Sequence, residues 1–153
     1  MRALVCLRTV PDPEIPVLDV ISMGIVREID ENPDGVRVTI TPTYSGCPAM
    51  KEIESSIRSA LNQAGFAKVE MKIQISPPWT TDWITKEALE KLRSYGIAPP
   101  KRACNHSVDQ THADCPYCGS VKTQLQSEFG STPCKSLHVC KNCHQPFESF
   151  KCI

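Results

Sequence analysis

The chain has 153 residues with 17 basic and 17 acidic side chains, and this zero net charge excludes a protein whose main business is gripping nucleic acid or an anionic membrane. No apolar run is long enough to span a bilayer, and the opening "MRALVCLRTVPDPE" meets Arg8, Asp12 and Glu14 before a signal-peptide core could form. A cytoplasmic protein is expected, and in that reducing compartment nine cysteines, an odd number, read as metal ligands or reactive thiols rather than disulfides.

In chain order, the first element expected is a short helix around residues 15–20. "VISMGIVREIDENPDGVRVTITPT" then predicts a β-hairpin: Val36, Val38 and Ile40 alternate with Arg37 and Thr39, and Asn32-Pro33-Asp34-Gly35 supplies the turn. In "PAMKEIESSIRSALNQAGF" the residues Met50, Ile53, Ile57, Leu61 and Ala64 keep the spacing of one helix face, and Gly65 ends it. "KVEMKIQI" alternates Val69, Met71, Ile73 and Ile75 with polar partners and predicts a half-buried strand. "TKEALEKLRSYG" predicts a second amphipathic helix carrying Ala88, Leu89, Leu92 and Tyr95. Gly96, Pro99 and Pro100 close it, and a polar stretch follows. The expected division is an α/β (α+β) domain over residues 1–98, with a small mixed sheet and two to three helices, a linker over 99–112 and a separate module over 113–153.

Cys47 stands between Gly46 and Pro48 where the first long helix begins. Proline suits the first helical position, because its missing N–H costs nothing there. That places Cys47 at or near the N-cap, where free N–H groups and the helix dipole favour a thiolate. A small buried hydrophobe is the competing reading of this cysteine. A Cys–His hydrolase is disfavoured, since the first 100 residues contain no histidine. Asp12-Pro13-Glu14 reads on its own as turn and capping chemistry, and Trp79 and Trp83 as core plugs or interface anchors.

Seven of the nine cysteines fall in the last 53 residues. Cys115-x₂-Cys118 and Cys140-x₂-Cys143, with 21 residues between the pairs, present four thiolates on two turns, the donor set of a structural Zn²⁺. Gly119 allows a tight knuckle, Lys122 and Lys141 offset the charge, and "VKTQLQSEF", "KSLHV" and "FESFK" predict three short strands, hence a zinc ribbon. A rubredoxin-like iron or a cluster is the rival occupant. His138 and His144 flank the second knuckle as weaker alternative ligands, and Cys104, His106 and His112 read as incidental. Cys134 and Cys152 are either small core side chains or a second thiol site.

"DPEIPVLDVISMGIVREI", "VRVTITPTYSGCP" and "PPWTTDWIT" resemble the small domain of SufT-like and cytosolic iron–sulfur assembly proteins. With the cysteine-rich tail added, the whole chain resembles the PaaD family of phenylacetate-degradation accessory proteins. The resemblance implies that Cys47 is an exposed functional thiol and that Asp12, Glu14, Thr41 and Trp79 belong to or border its site. Cys134 and Cys152 also fit the PaaD-like pattern. The implied role is a non-catalytic accessory factor of the multicomponent phenylacetyl-CoA ring epoxidase, assisting iron–sulfur cluster or metal cofactor assembly on its reductase or oxygenase component. Implied partners are the epoxidase components and iron–sulfur assembly proteins. One thiolate cannot hold a cluster alone, so a transient iron–sulfur cluster would draw further ligands from a client, a second copy in a homo-oligomer, or the Cys134/Cys152 region.

Three other readings are weighed against this one. A structural subunit of the oxygenase shares its partners, and a zinc-ribbon nucleic-acid module lacks a basic stripe with interleaved aromatics. A thiol enzyme would need a base or resolving cysteine near Cys47, and the sequence offers none nearby. No Glu-x-x-His pair or Gly-rich phosphate loop marks the chain as the oxygenase or reductase itself.

Overall fold

The computed structural model describes residues 1–101 and 111–153, which form two compact units, Met1–Thr85 and Lys86–Ile153. The first unit contains helix α1 (Arg2–Leu7), the hairpin β1 (Val26–Asn32) and β2 (Gly35–Ile40), helix α2 (Met50–Gln63), strand β3 (Val69–Ile73) and a 3₁₀ turn at Thr81–Trp83. β2 is central, antiparallel to β1 and parallel to β3, so the sheet is mixed as expected. Val36, Val38 and Ile40 are buried on β2, and Ile53, Ile57 and Leu61 give α2 its buried face. The period-2 and period-3.6 patterns thus meet in one core.

Three local expectations change. Residues 15–20 form a chain of turns rather than a helix. Asp12 Oδ1 accepts the N–H groups of Glu14 and Ile15, both at 2.8 Å, and Asp19 Oδ1 accepts those of Ile21 and Ser22. Two aspartates thereby satisfy donors that a helix would have used. The N-terminal apolar patch is instead helical, with Ala3 and Leu7 fully buried, four residues apart, on a helix that packs on α2. The third change is on β3, which is an edge strand that leaves Ile73 54% and Ile75 69% exposed, so its apolar row is covered only at the start.

Trp79 is 3% exposed and its indole N–H donates to the Met23 carbonyl at 3.0 Å. Trp79→Phe is expected to cost about 1–3 kcal/mol, because a buried carbonyl loses its donor. Chemical denaturation of the variant checks this value.

The second unit holds helix α3 (Lys86–Ser94) and strands β4 (Ile97–Ala98), β5 (Thr123–Ser127), β6 (Lys135–Cys140) and β7 (Pro146–Phe150). The strand order is β4-β7-β6-β5, with only the β4–β7 pair parallel. α3 and β4, which the composition places ahead of the linker, stand in this unit, where two residues of β4 extend the ribbon sheet. So short a strand leaves no period to read. Among the described residues no helix is long and apolar enough to cross a membrane.

Candidate functional site

Two cysteine sites emerge, one in each unit. In the first, the chain leaves β2 through Thr41, Pro42 and Thr43 and turns at Gly46, whose φ of +77° suits glycine. A Cβ at Gly46 would have nothing within 4 Å, so the space beside it is open. Cys47 follows, partly exposed. Its carbonyl accepts the Met50 N–H at 3.2 Å, an i→i+3 bond that forms a preliminary turn before the α-helical ladder. The N-cap is therefore Ala49, and Cys47 sits two residues ahead of the position expected from Pro48.

The Thr43 hydroxyl donates to Cys47 Sγ at 3.9 Å. Sequence reasoning passed over Thr43; its signal is a hydroxyl four residues ahead of the cysteine in "TYSGC". Thr41 is fully buried and its Oγ1 has no hydrogen-bond partner. Leaving such a hydroxyl unsatisfied costs about 1–3 kcal/mol. Asp12 is 5% exposed and Glu14 partly so, on the Asx turn already described. Trp79 is buried with its N–H on Met23.

In the second unit the four sulfurs of Cys115, Cys118, Cys140 and Cys143 all lie within 4.8 Å of one another, with Cys115–Cys143 and Cys118–Cys140 at 3.6 Å. A tetrahedral ion with metal–sulfur bonds of about 2.3 Å requires edges of about 3.8 Å. The donor set therefore fits a tetrathiolate metal ion.

Each pair sits on the same knuckle. Gly119 N–H donates to the Cys115 carbonyl at 2.9 Å, and His144 N–H to the Cys140 carbonyl at 3.0 Å. Gly119 has φ +72° and His144 φ +62°. The left-handed residue after the second cysteine was legible at Gly119 and not at His144, whose type does not advertise it. His144 thus serves the turn through its backbone.

The second knuckle also aims N–H groups at sulfur: Asn142 and Cys143 backbone N–H at Cys140 Sγ, 3.4 and 3.5 Å, and the Asn142 amide at Cys118 Sγ, 3.7 Å. The Cys118 thiol is lowered to about 6, first by the Ser120 N–H and then by the Asn142 amide. At Cys143 the Gln145 N–H pulls downward, but burial and the neighbouring sulfurs push the thiol up to about 12.

Among the remaining residues, Cys134 is a buried thiol with its Sγ 3.1 Å from the Thr132 hydroxyl. Cys152 is partly exposed and disulfide-bonded, which corrects the expectation of metal ligands or reactive thiols rather than disulfides at this position. His138 is fully buried, stacks on Phe147 and has Nε2 2.9 Å from the Ser136 hydroxyl. Cys104 and His106 lie outside the described residues.

Comparison with known proteins divides along the same two sites. Residues 2–73 match the family described as iron-sulfur cluster assembly protein, and residues 99–151 match the PaaD zinc beta ribbon domain. The chain is 48% identical to one component of the "Putative 1,2-phenylacetyl-CoA epoxidase" of Escherichia coli (strain K12), over 96% of this chain and 89% of that one. It is 38% identical to an "Fe-S protein maturation auxiliary factor" of Porphyromonas gingivalis, over 56% of this chain and 83% of that one. A crystal structure of a domain of unknown function, DUF59, from Bacillus anthracis superposes with a TM-score of 0.55 at 26% identity, covering 60% of this chain and 88% of that one.

Proposed function

The chain belongs to the PaaD family, and on that premise we propose that it is a non-catalytic accessory factor of a phenylacetyl-CoA epoxidase system that assists iron–sulfur cluster or metal cofactor assembly on the reductase or oxygenase component. The observation that carries this reading is the setting of Cys47. A partly exposed thiol stands beside open space at Gly46, is touched by the Thr43 hydroxyl, and follows a strand whose buried Thr41 hydroxyl is unpartnered. The two similarities support the same reading, one relative being named for the epoxidase and another for iron–sulfur maturation.

In this function Cys47 is the contact thiol, and Thr43 orients its sulfur. The family resemblance puts Asp12, Glu14, Thr41 and Trp79 at or beside this site; Asp12 holds its own turn through the Glu14 and Ile15 N–H groups, and Trp79 donates to the Met23 carbonyl. A cluster or iron is cargo here, with its other ligands supplied by the client or by a second copy. The four knuckle cysteines hold a structural Zn²⁺, which supplies the rigidity a small ribbon core lacks. The first unit, Met1–Thr85, acts on the cargo and the ribbon of the second docks on the client, in the cytoplasm.

The test is to produce the epoxidase reductase and oxygenase components with and without this chain and to assay iron, sulfide and turnover. Iron should fall several-fold in the client made without it. Full iron with low turnover would make the chain a structural subunit instead. Full iron with full turnover would remove both roles.

A further inference from the structure

The outer edge of β3 is open at Met71 and Ile73 and self-complementary. Lys68 O accepts from Val36 N–H, and Gln74 N–H donates to Ile40 O, so the even-numbered residues of this parallel pair face β2. The odd-numbered residues Val69, Met71 and Ile73 must therefore turn their N–H and C=O groups outward. The Val69 carbonyl receives the Arg58 guanidinium at 2.7 Å. Among the described residues nothing meets the N–H and C=O of Met71 and Ile73. The side chains of Ile73 and of Ile75 just beyond it are more than half exposed.

The other edge of the sheet is guarded. β1 carries exposed Glu28, Asp30 and Glu31 and an irregularity in register between Val26 and Glu28, both devices that discourage edge pairing. β3 carries one acid and one base, Glu70 and Lys72, both exposed and evenly placed about Met71.

We infer that β3 pairs with β3 of a second copy of this chain, antiparallel about a two-fold axis at Met71, joining two three-stranded sheets into one. In that register Met71 faces Met71 of the other copy, Val69 faces Ile73, and Glu70 stands opposite Lys72 twice. A register centred on Lys72 sets lysine against lysine and is rejected by charge. The apolar residues fall on one face of the joined sheet and the ion pairs on the other, so strand alternation serves both. Glu70 already bonds Arg37 at 3.1 Å, and Lys72 of the second copy would extend that pair into a three-membered chain of charges. The pairing rests on the sheet alone and stands or falls separately from any maturation role.

Sedimentation of the full chain over a concentration series tests it, with amide exchange as a second readout. The full chain is expected to dimerise, with the Met71 and Ile73 amides becoming protected as it does so. Lys72→Glu sets two carboxylates against each other at both ion-pair positions and should weaken the dimer about tenfold. Glu70→Lys combined with Lys72→Glu restores opposite charges and should recover most of the loss. A chain that stays monomeric at its highest workable concentration overturns the inference. So does a dimer indifferent to Lys72→Glu, or β3 amides that gain protection only when a client component is added, which would make the occupant a client strand.

Discussion

Cys118→Ser is expected to empty the knuckle site and unfold the ribbon. The apolar cluster beneath the knuckles consists of Ala98, Ala113, Cys115, Cys140 and Phe147, packed with Cys143. Three of those six side chains are themselves ligands, so the core and the metal site are nearly the same object. Apparent metal-binding energies of structural zinc reach about 10–16 kcal/mol in small modules, which matches or exceeds the whole stability of an ordinary domain at about 5–15 kcal/mol. The first unit has its own core under α2 and should survive. Metal analysis together with hydrogen exchange resolves the outcome. Amides of β5–β7 should lose protection while those of α2 and β2 keep it. A metal-free protein with a protected ribbon would refute the assignment.

Cys47→Ser should behave in the opposite way, silent in stability and large in function. The thiol is partly exposed and its described side-chain contact is the Thr43 hydroxyl, so exchanging sulfur for oxygen should change stability by less than about 0.5 kcal/mol. Serine keeps the shape and the hydrogen bond but is a far poorer ligand for iron. A client produced with this variant should carry several-fold less iron and turn over correspondingly less, while the knuckle metal stays at full occupancy. Full iron and full turnover with Cys47→Ser would end the assembly reading.

The fold was legible wherever a period ran for more than one turn or one pair of side chains. Val36–Ile40, Met50–Leu61 and the two cysteine pairs announced strand, helix and metal site because each repeats a spacing that physics demands. What escaped was shorter or indirect. α1 buries Ala3 and Leu7, one apolar pair, too few to reveal a period. The turns at Asp12 and Asp19 replaced a helix because a carboxylate oxygen can take two backbone donors, a competition that apolar spacing does not register. At Cys47 the sequence placed the thiol within two residues of the helix start but missed Thr43, since a hydroxyl near a sulfur has no signature until the loop between them is closed. The family resemblance in the motifs pointed to the same cysteine, beside which a Cβ at Gly46 would meet open space.

The two knuckles and the lone thiol differ in how quickly each lets go. Four sulfurs fixed on two matching turns form a chelate: a bond that breaks leaves the ion held by three others, and the free sulfur re-forms its bond before the ion escapes. Cys47 has no such partners among its described contacts, so an ion held by it departs in one bond-breaking step. Under the proposed function, the same side-chain chemistry would give a slow trap at one place and a fast relay at the other, and the chain would pass metal on without surrendering the metal of its ribbon.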